Sequence, residues 1–428
     1  MRQLSLAATL LTLAACSDPL APAPPPPPTQ PDATNSAALA VVAVGPTFKA
    51  YLPGPTPSAD DHGRLVVVDA AVQANGASGH LREIDLGAGR YAAALAATTD
   101  VLVAVSVDQP FIWFIDPVTD RVTKVLDLPS EYAQWTLSDE TAFMTGVVID
   151  SAHRRAFVSV WNGFLVLDLD TRSIADNIVV APSEGFAYDA QRNRLVAPFY
   201  HCPAPDTGTA TPPPCASYRS PDGTIIEDGL NLVDLADGKI FTYVNEAAAD
   251  QRFPLGQTPD TAAMDPVGGR VVIPLESLSE NNVLDLATAV FDDATSTFTA
   301  SAVTITSTPL TAVAIEPTSR LGLAMEELGS RVAVWDLPAI TADGELTLAN
   351  MPDLPGSAGA WAGHSDPHGT RAGLLGGRPV AWIMNDTRTW LARVDLLTLN
   401  QLSKATPAEV TAAATAQAVT YTAIDPAP

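Results

Sequence analysis

The sequence predicts an all-β chain folded as a single β-propeller, with seven blades of four antiparallel strands each. Two recurrent phrases and their spacing carry that expectation. The first phrase is a small-apolar strand, an acid with a turn, then an Arg-led apolar strand. It reads GVVIDSAHRRAFVSV (146–160), GFAYDAQRNRLVAPF (185–199), TAAMDPVGGRVVIPL (261–275), TAVAIEPTSRLGLAM (311–325) and AGHSDPHGTRAGLLG (362–376). The second phrase is an apolar strand ending in Asp, as in FIWFIDPVTD, FLVLDLDT, LNLVDLADG, NVLDLAT, VAVWDLPA and LARVDLLT. Asp116 to Asp168, Asp234 to Asp285 and Asp285 to Asp336 are 52, 51 and 51 residues apart. Short alternating strands with Asp/Gly/Pro turns, repeated at a period near ~50, mark a propeller, because one small sheet cannot bury both faces alone.

Each element follows from that grammar. The aligned acids are Asp150, Asp189, Asp265, Glu316 and Asp366; the Arg after each is Arg155, Arg194, Arg270, Arg320 or Arg371. Their recurrence gives them structural roles: acids that satisfy turn N–H groups, and arginines that bridge to acids. Blade limits read 39–90, 91–140, 141–182, 183–256, 257–308, 309–358 and 359–404. VTYTAI (419–424) alternates as a strand and is expected to complete a terminal sheet; LAVVAV (39–44) is a second candidate for that place. A strand added at the seam removes a free edge.

Composition narrows the function. The 428 residues carry 48 acids against 23 Lys and Arg, a formal charge of −25, and are 47% hydrophobic. That acidity excludes a nucleic-acid partner, since phosphate backbones call for basic patches. Three cysteines exclude a dense disulfide scaffold, and no CxxC or CxxCH motif is present. Haem and iron–sulfur ligand patterns are likewise missing.

The first 15 residues, MRQLSLAATLLTLAA, place one cation before a short apolar run, the pattern of a secretory signal peptide. The run ends in Leu13-Ala14-Ala15-Cys16, which resembles the bacterial lipobox. That resemblance implies lipidation of Cys16 and a membrane anchor in the cell envelope. Ser17, rather than an acid, follows the cysteine, which favours the outer membrane. Residues 16–37 then form a proline-rich tether in which Pro24 to Pro28 favour polyproline II. The domain expected from 38 to 428 is the propeller itself, a monomer.

The repeat phrases resemble those of the YVTN or lactonase-type propellers over residues 90–400. The resemblance implies the fold. It leaves function open, because such propellers serve as enzymes, binding modules and scaffolds.

One blade carries an insertion near 200–224, FYHCPAPDTGTATPPPCASYRSPDGT from Phe199. In an oxidising envelope Cys202 and Cys215 are expected to pair as a disulfide that staples the loop. A metal held with His201 is the weaker alternative, lacking a fourth ligand. Five places before the aligned acids stand Thr145, Glu184, Asp260, Thr311 and Trp361, positions expected at one mouth of the central channel. His364 replaces the Val or Ala of other copies. Glu184, Asp260 and His364 are therefore candidate ligands for Ca²⁺ or another divalent metal, against the alternative of hydrated channel-lining groups. Two apparent motifs fail on context. Gly363-His364-Ser365 lacks the last glycine of a nucleophile elbow. Gly87-Ala88-Gly89 through Ala92 lacks the βαβ setting of a dinucleotide site. The expected function is a membrane-anchored envelope lipoprotein whose propeller is a non-catalytic binding or scaffold module for a protein or surface polymer. The alternative is a lactone or ester hydrolase with a channel-mouth metal.

Overall fold

The computed structural model describes residues 35–54, 57–71, 77–106, 109–128, 144–160, 163–181, 183, 185–199, 229–244, 261–275, 280–306, 310–326, 332–340, 346–347, 369–384, 388, 390–403 and 418–423. These residues are built almost wholly of antiparallel strands arranged as a propeller. Three sheets have the expected four strands. The first is Ala40–Val44, Thr47–Pro53, His62–Asp69 and His80–Ala88. The second is Ala94–Ala97, Leu102–Val105, Phe111–Asp116 and Arg121–Asp127; the third is Met144–Asp150, Arg155–Val160, Gly163–Asp168 and Ser173–Val179.

The remaining strands depart from seven separate four-stranded sheets. Ala187–Asp189, Arg194–Phe199, Gly229–Asp234 and Ile240–Tyr243 form one antiparallel run, and Ala263–Asp265, Arg270–Pro274, Glu280–Asp292 and Thr297–Thr306 form another. The two runs join through a parallel pairing of Thr242 with Thr297 and Tyr243 with Phe298, and Leu346–Thr347 adds to the edge, giving nine strands in one sheet. The cause is local. Ile240–Tyr243 is short and would leave an open edge, a liability for any sheet. The neighbouring hairpin runs past a register shift between Asp285 and Val290, so its tip reaches that edge.

The next sheet, Leu310–Glu316, Leu321–Glu326 and Val332–Asp336, has three strands. The chain that follows gives Leu346–Thr347 to the preceding run instead. The helix Leu396–Ser403 packs against Val332–Asp336 in place of a fourth strand. The last sheet pairs Thr370–Leu375, Arg378–Met384, Trp390–Asp395 and Val419–Ala423, with Ala77–Ser78 from the first region added in parallel. Val419–Ala423 thus completes the terminal sheet as the sequence suggests. Ala40–Val44 does not; it begins the first sheet.

One register expectation is corrected here. The phrase 362–376 places Arg371 on a second strand, after an acid turn. In the structure Thr370–Leu375 is the innermost strand, and its hairpin turns at Gly376-Gly377 into Arg378–Met384. The two glycines, both at positive φ, supply the left-handed backbone this tight turn needs.

Apolar side chains pack between consecutive runs, not within them. Tyr51 and Leu65 meet Trp113 and Ile115; Phe114 and Val103 meet Val147 and Leu165; Phe157 and Phe164 meet Phe186 and Tyr188. Leu232 and Phe241 meet Met264 and Phe298; Val272 and Val283 meet Val313 and Trp335; Leu323 and Met325 meet Ile383 and Val394. Finally Leu52 and Val68 meet Trp382 and Met384, which closes the last sheet on the first. Each buried large apolar side chain contributes about 1.5–3 kcal/mol, so the ring is held chiefly by these interfaces. Trp382 and Arg393 also donate to the Ala70 and Ala71 carbonyls across the closing seam.

Candidate functional site: the channel mouth and an adjoining groove

The innermost strands begin around one end of the axis, and the segment Asn35–Leu39 fills that end. Asn35 and Ser36 are each 3% exposed, and Ala37 and Leu39 are fully buried. The folded ring therefore takes in residues of the proline-rich stretch expected to run to 37. Ser36 donates its N–H to the Phe186 carbonyl (2.9 Å), and the Phe186 N–H donates to Ser36 Oγ (3.1 Å). The Leu95 N–H donates to the Ala37 carbonyl at 2.9 Å. Asn35 Nδ2 reaches the carbonyls of Val313 (3.0 Å) and Thr370 (3.1 Å). The small side chains of this segment matter. A Cβ added at Gly146 would lie 2.8 Å from Ser36 Cβ, so strand and segment are already in contact.

Arg371, the residue corrected above, is the clamp. Its guanidinium donates to the carbonyls of Asn35, Leu39 (2.6 Å) and Leu95 (2.6 Å). It is buried, and that burial pulls its pKa down to about 9. An Arg fork is suited to several fixed acceptors at once, where a lysine offers a single point. Sequence reasoning placed Arg371 among the repeat arginines and read Asn35 and Ser36 as tether. Asn35 and Ser36, the last polar residues before the first apolar strand, are the only trace of the segment in the sequence.

Four of the repeat acids, Asp150, Asp189, Asp265 and Glu316, lie at the opposite end and are structural, as their recurrence implies; Asp366 lies outside the described residues. Asp265 Oδ1 accepts the Gly268 N–H, and Glu316 accepts those of Thr318 and Ser319. Asp150 holds Arg155 (2.8 Å) and His153 (2.7 Å). The arginines are less uniform than the phrase implies. Arg194 pairs with Asp234, Arg270 donates to the Leu337 and Ile340 carbonyls, and Arg320 crosses back to Asp265 at 2.7 Å. Five of the six Asp residues ending the second phrase cap their turns: Asp116, Asp168, Asp234, Asp285 and Asp395 accept N–H groups from Val118, Asp170, Ala236, Ala287 and Thr398, while Asp336 begins a short 3-10 turn with no side-chain cap.

Cys16, Cys202, Cys215, Glu184, Asp260 and His364 all lie outside the described residues. What is described is the chain beside two of them. Gly185, after Glu184, packs against Thr261, after Asp260; a Cβ on Gly185 would meet Thr261 Oγ1 at 2.4 Å and Cα at 2.8 Å. Phe199 and Gly229, which flank the cysteine insertion, pair with each other at the channel-mouth end. Among the described residues no three His, Cys, Asp or Glu side chains are grouped to hold a metal ion.

The same end of the first sheet carries a cavity of about 600 Å³ lined by Ser58, Asp61, His62, Arg64, Glu83 and Asp85, among others. His62 Nδ1 sits 2.8 Å from Asp85, and Arg64 donates to Glu83 at 2.7 Å. The His62 hydrogen bond and the Gly87 N–H hold the Asp85 carboxyl below the usual carboxylate range. Ser58 Oγ is bonded to Asp61 Oδ2 (2.6 Å), not to His62. The groove therefore contains Ser, His and Asp without the Ser–His contact that activates a nucleophile. Its paired carboxylates and cations suit polar recognition.

No protein-family model matches the chain, and no curated protein matches it. Among solved structures, Kuenenia stuttgartiensis hydrazine synthase superimposes with a TM-score of 0.50 at 11% identity, over 85% of this chain and 94% of that one. The β-propeller domain of Myceliophteria thermophila Cps50 (Swd1) gives 0.49 at 12% identity, over 84% and 97%. KlAtg21 in complex with the coiled coil of AgAtg16 gives 0.47 at 9%, over 85% and 94%. Likeness at such identities speaks for the fold alone, which is all-β and propeller-like.

Proposed function

We propose that the protein is an envelope lipoprotein, anchored through Cys16, whose seven-bladed propeller is a non-catalytic binding or scaffold module. The carrying observation is the filled channel mouth. Residues Asn35–Leu39 occupy the end of the axis around which the inner strands begin, so ligands are left the groove and loops around it. The count of seven follows if the nine-stranded sheet is two blades joined at their edges, because the apolar interfaces then number one per blade. A Cys202–Cys215 disulfide stiffens the loop between Phe199 and Gly229 on the same face, and a protein or surface polymer is the partner class. The outer membrane is the favoured location, and the module acts as a monomer.

The test is photo-crosslinking in cells with a reactive residue at Glu83, in the groove, or at Val267, on the opposite end. A discrete adduct at Glu83 alone is expected, and adducts at both or neither would count against this face. Loss of membrane partitioning in Cys16→Ala is expected in the same cells. A second reading keeps a hydrolase with a Ca²⁺-type site at Glu184, Asp260 and His364, favoured by the contact of Gly185 with Thr261. Stoichiometric metal, retained through dialysis and lost in Asp260→Ala, together with lactone or ester turnover, would replace the first reading by the second.

A further inference from the structure

We infer that the channel mouth is a binding site for a short, turned, uncharged peptide, and that residues Asn35–Leu39 are its resident ligand, held in cis. This inference is independent of whether Cys16 is lipidated. The segment belongs to no sheet and bends at Asn35 and Ala38, which brings the Asn35 and Leu39 carbonyls to one guanidinium; it is held by main-chain hydrogen bonds plus one side chain in a pocket. Ser36 and Phe186 exchange hydrogen bonds, Leu95 donates to the Ala37 carbonyl, and Arg371 takes the Asn35 and Leu39 carbonyls. Asn35 is the specificity residue. Its amide spans Val313 and Thr370, two carbonyls on adjacent sheets that no apolar side chain could satisfy. Ser36 sits close against Gly146, where an added Cβ would lie 2.8 Å from Ser36 Cβ, and Ala37 and Ala38 are buried beside it. The ligand class is thus Asn followed by small residues, turned so that the first and fifth carbonyls reach one guanidinium. A tethered ligand is present at millimolar effective concentration, so wild-type protein resists competition in trans.

The test uses the full chain and a fluorescent peptide of residues 35–41, NSAALAV. Asn35→Ala removes two buried cross-segment hydrogen bonds and raises the fraction of open mouths. Its apparent affinity for the peptide is expected to exceed that of the wild type at least tenfold. A peptide with Ala in place of its own Asn should lose that gain. Phe298→Ala, which weakens a distant seam, should gain nothing. Equal binding by Phe298→Ala, or no binding by a folded Asn35→Ala, overturns the inference. Wild-type hydrogen exchange gives a second readout that does not depend on any variant folding. The Leu95 amide should exchange through local opening, faster than the Val103 amide beside it in the same sheet. Equal protection of the two would make the segment ordinary core and overturn the inference as well.

Discussion

Arg371 donates to the Asn35 carbonyl, and the Asn35 amide donates to the carbonyl of Thr370, the residue just before Arg371. The two residues are 336 positions apart, so this reciprocal contact ties the start of the folded chain to the innermost strand of its last sheet. A propeller needs some device that joins its first and last blades. Here the Ala77–Ser78 strand beside Val419–Ala423 works at the rim, and Asn35 with Arg371 works at the axis.

Arg371→Met should therefore destabilise the protein by about 3 kcal/mol or more. Three buried carbonyls lose their donor, each at about 1–3 kcal/mol, partly offset by the relief of desolvating a charge. Arg371→Lys should recover only part of the loss, since an ammonium cannot fork to three fixed acceptors. Urea denaturation of both variants against wild type measures this, and a loss in Arg371→Met no larger than in a surface Arg→Met control would refute the clamp.

Asp150 and Asp189 are equivalent in the repeat but opposite in electrostatics. Burial opposes ionisation of Asp150, yet hydrogen bonds from Arg155, Tyr188 and His153 outweigh it and hold the carboxyl below its usual range. At Asp189 burial wins over Arg192, and the carboxyl is pushed up. Asp150→Asn should cost about 2 kcal/mol, the scale of hydrogen bonds to a charged group, and Asp189→Asn distinctly less. The pH dependence carries opposite signs. Asp150 stabilises above its unfolded value, about 3.9, and that contribution vanishes as pH falls through its depressed folded value. Ionised Asp189 opposes the fold; its penalty is complete above its raised folded value and is gone below about 3.9. Melting curves of the two Asn variants from pH 3 to pH 7, roughly the window these directions set, should diverge from wild type in opposite senses.

Much of this fold was legible because propeller strands announce themselves locally. The Asp that ends the second phrase caps its own turn two or three residues on in every copy but that of Asp336, so its role needs no distant partner. The acid-turn phrase was equally legible where its two strands are a hairpin, as at Asp150 with Arg155. It misled at Arg371, which stands on the innermost strand of a hairpin that turns at Gly376-Gly377; the Asp-Pro-His of its phrase lies outside the described residues. The axis was invisible for a physical reason: Asn35, Ser36 and Arg371 act through backbone carbonyls of several sheets, and main-chain acceptors leave no mark on a sequence. The join between Thr242 and Thr297 was hidden likewise, since strand edges pair through backbone alone.

In the groove, His62 should control Asp85. Carbon-detected titration of Asp85 is expected to give a value below the ordinary aspartate range in wild type and a value moved upward in His62→Ala. The sign follows from linkage: a depressed carboxylate stabilises above its unfolded value and loses that contribution as pH falls through the folded value. Both groups are exposed, so overall stability should hardly change, and the titration is the informative readout. An unmoved Asp85 in His62→Ala would leave the Gly87 N–H as its sole support.

The seam between the two joined runs makes the last prediction. Phe298 is buried with its ring 5.3 Å from Tyr243 and 5.6 Å from Phe291, and Phe291 in turn meets Phe241 at 4.9 Å. Arg194 lies over the Phe291 ring at 4.7 Å. These rings come from both runs, so they are what holds the parallel edge together; the edge itself pairs only two residues on each side. Phe298→Ala should cost about 3–5 kcal/mol, as truncation of a buried aromatic does. The loss should be local before it is global. Thr242 and Val244 donate across the seam to Ser296 and Phe298 carbonyls, so their amides should lose protection from hydrogen exchange first. The inner-strand amides near Val272 and Val196, held by their own antiparallel ladders, should keep theirs. Uniform loss across both runs would mean that the nine strands unfold as one unit, and that the seam is as integral as any other pairing in the ring.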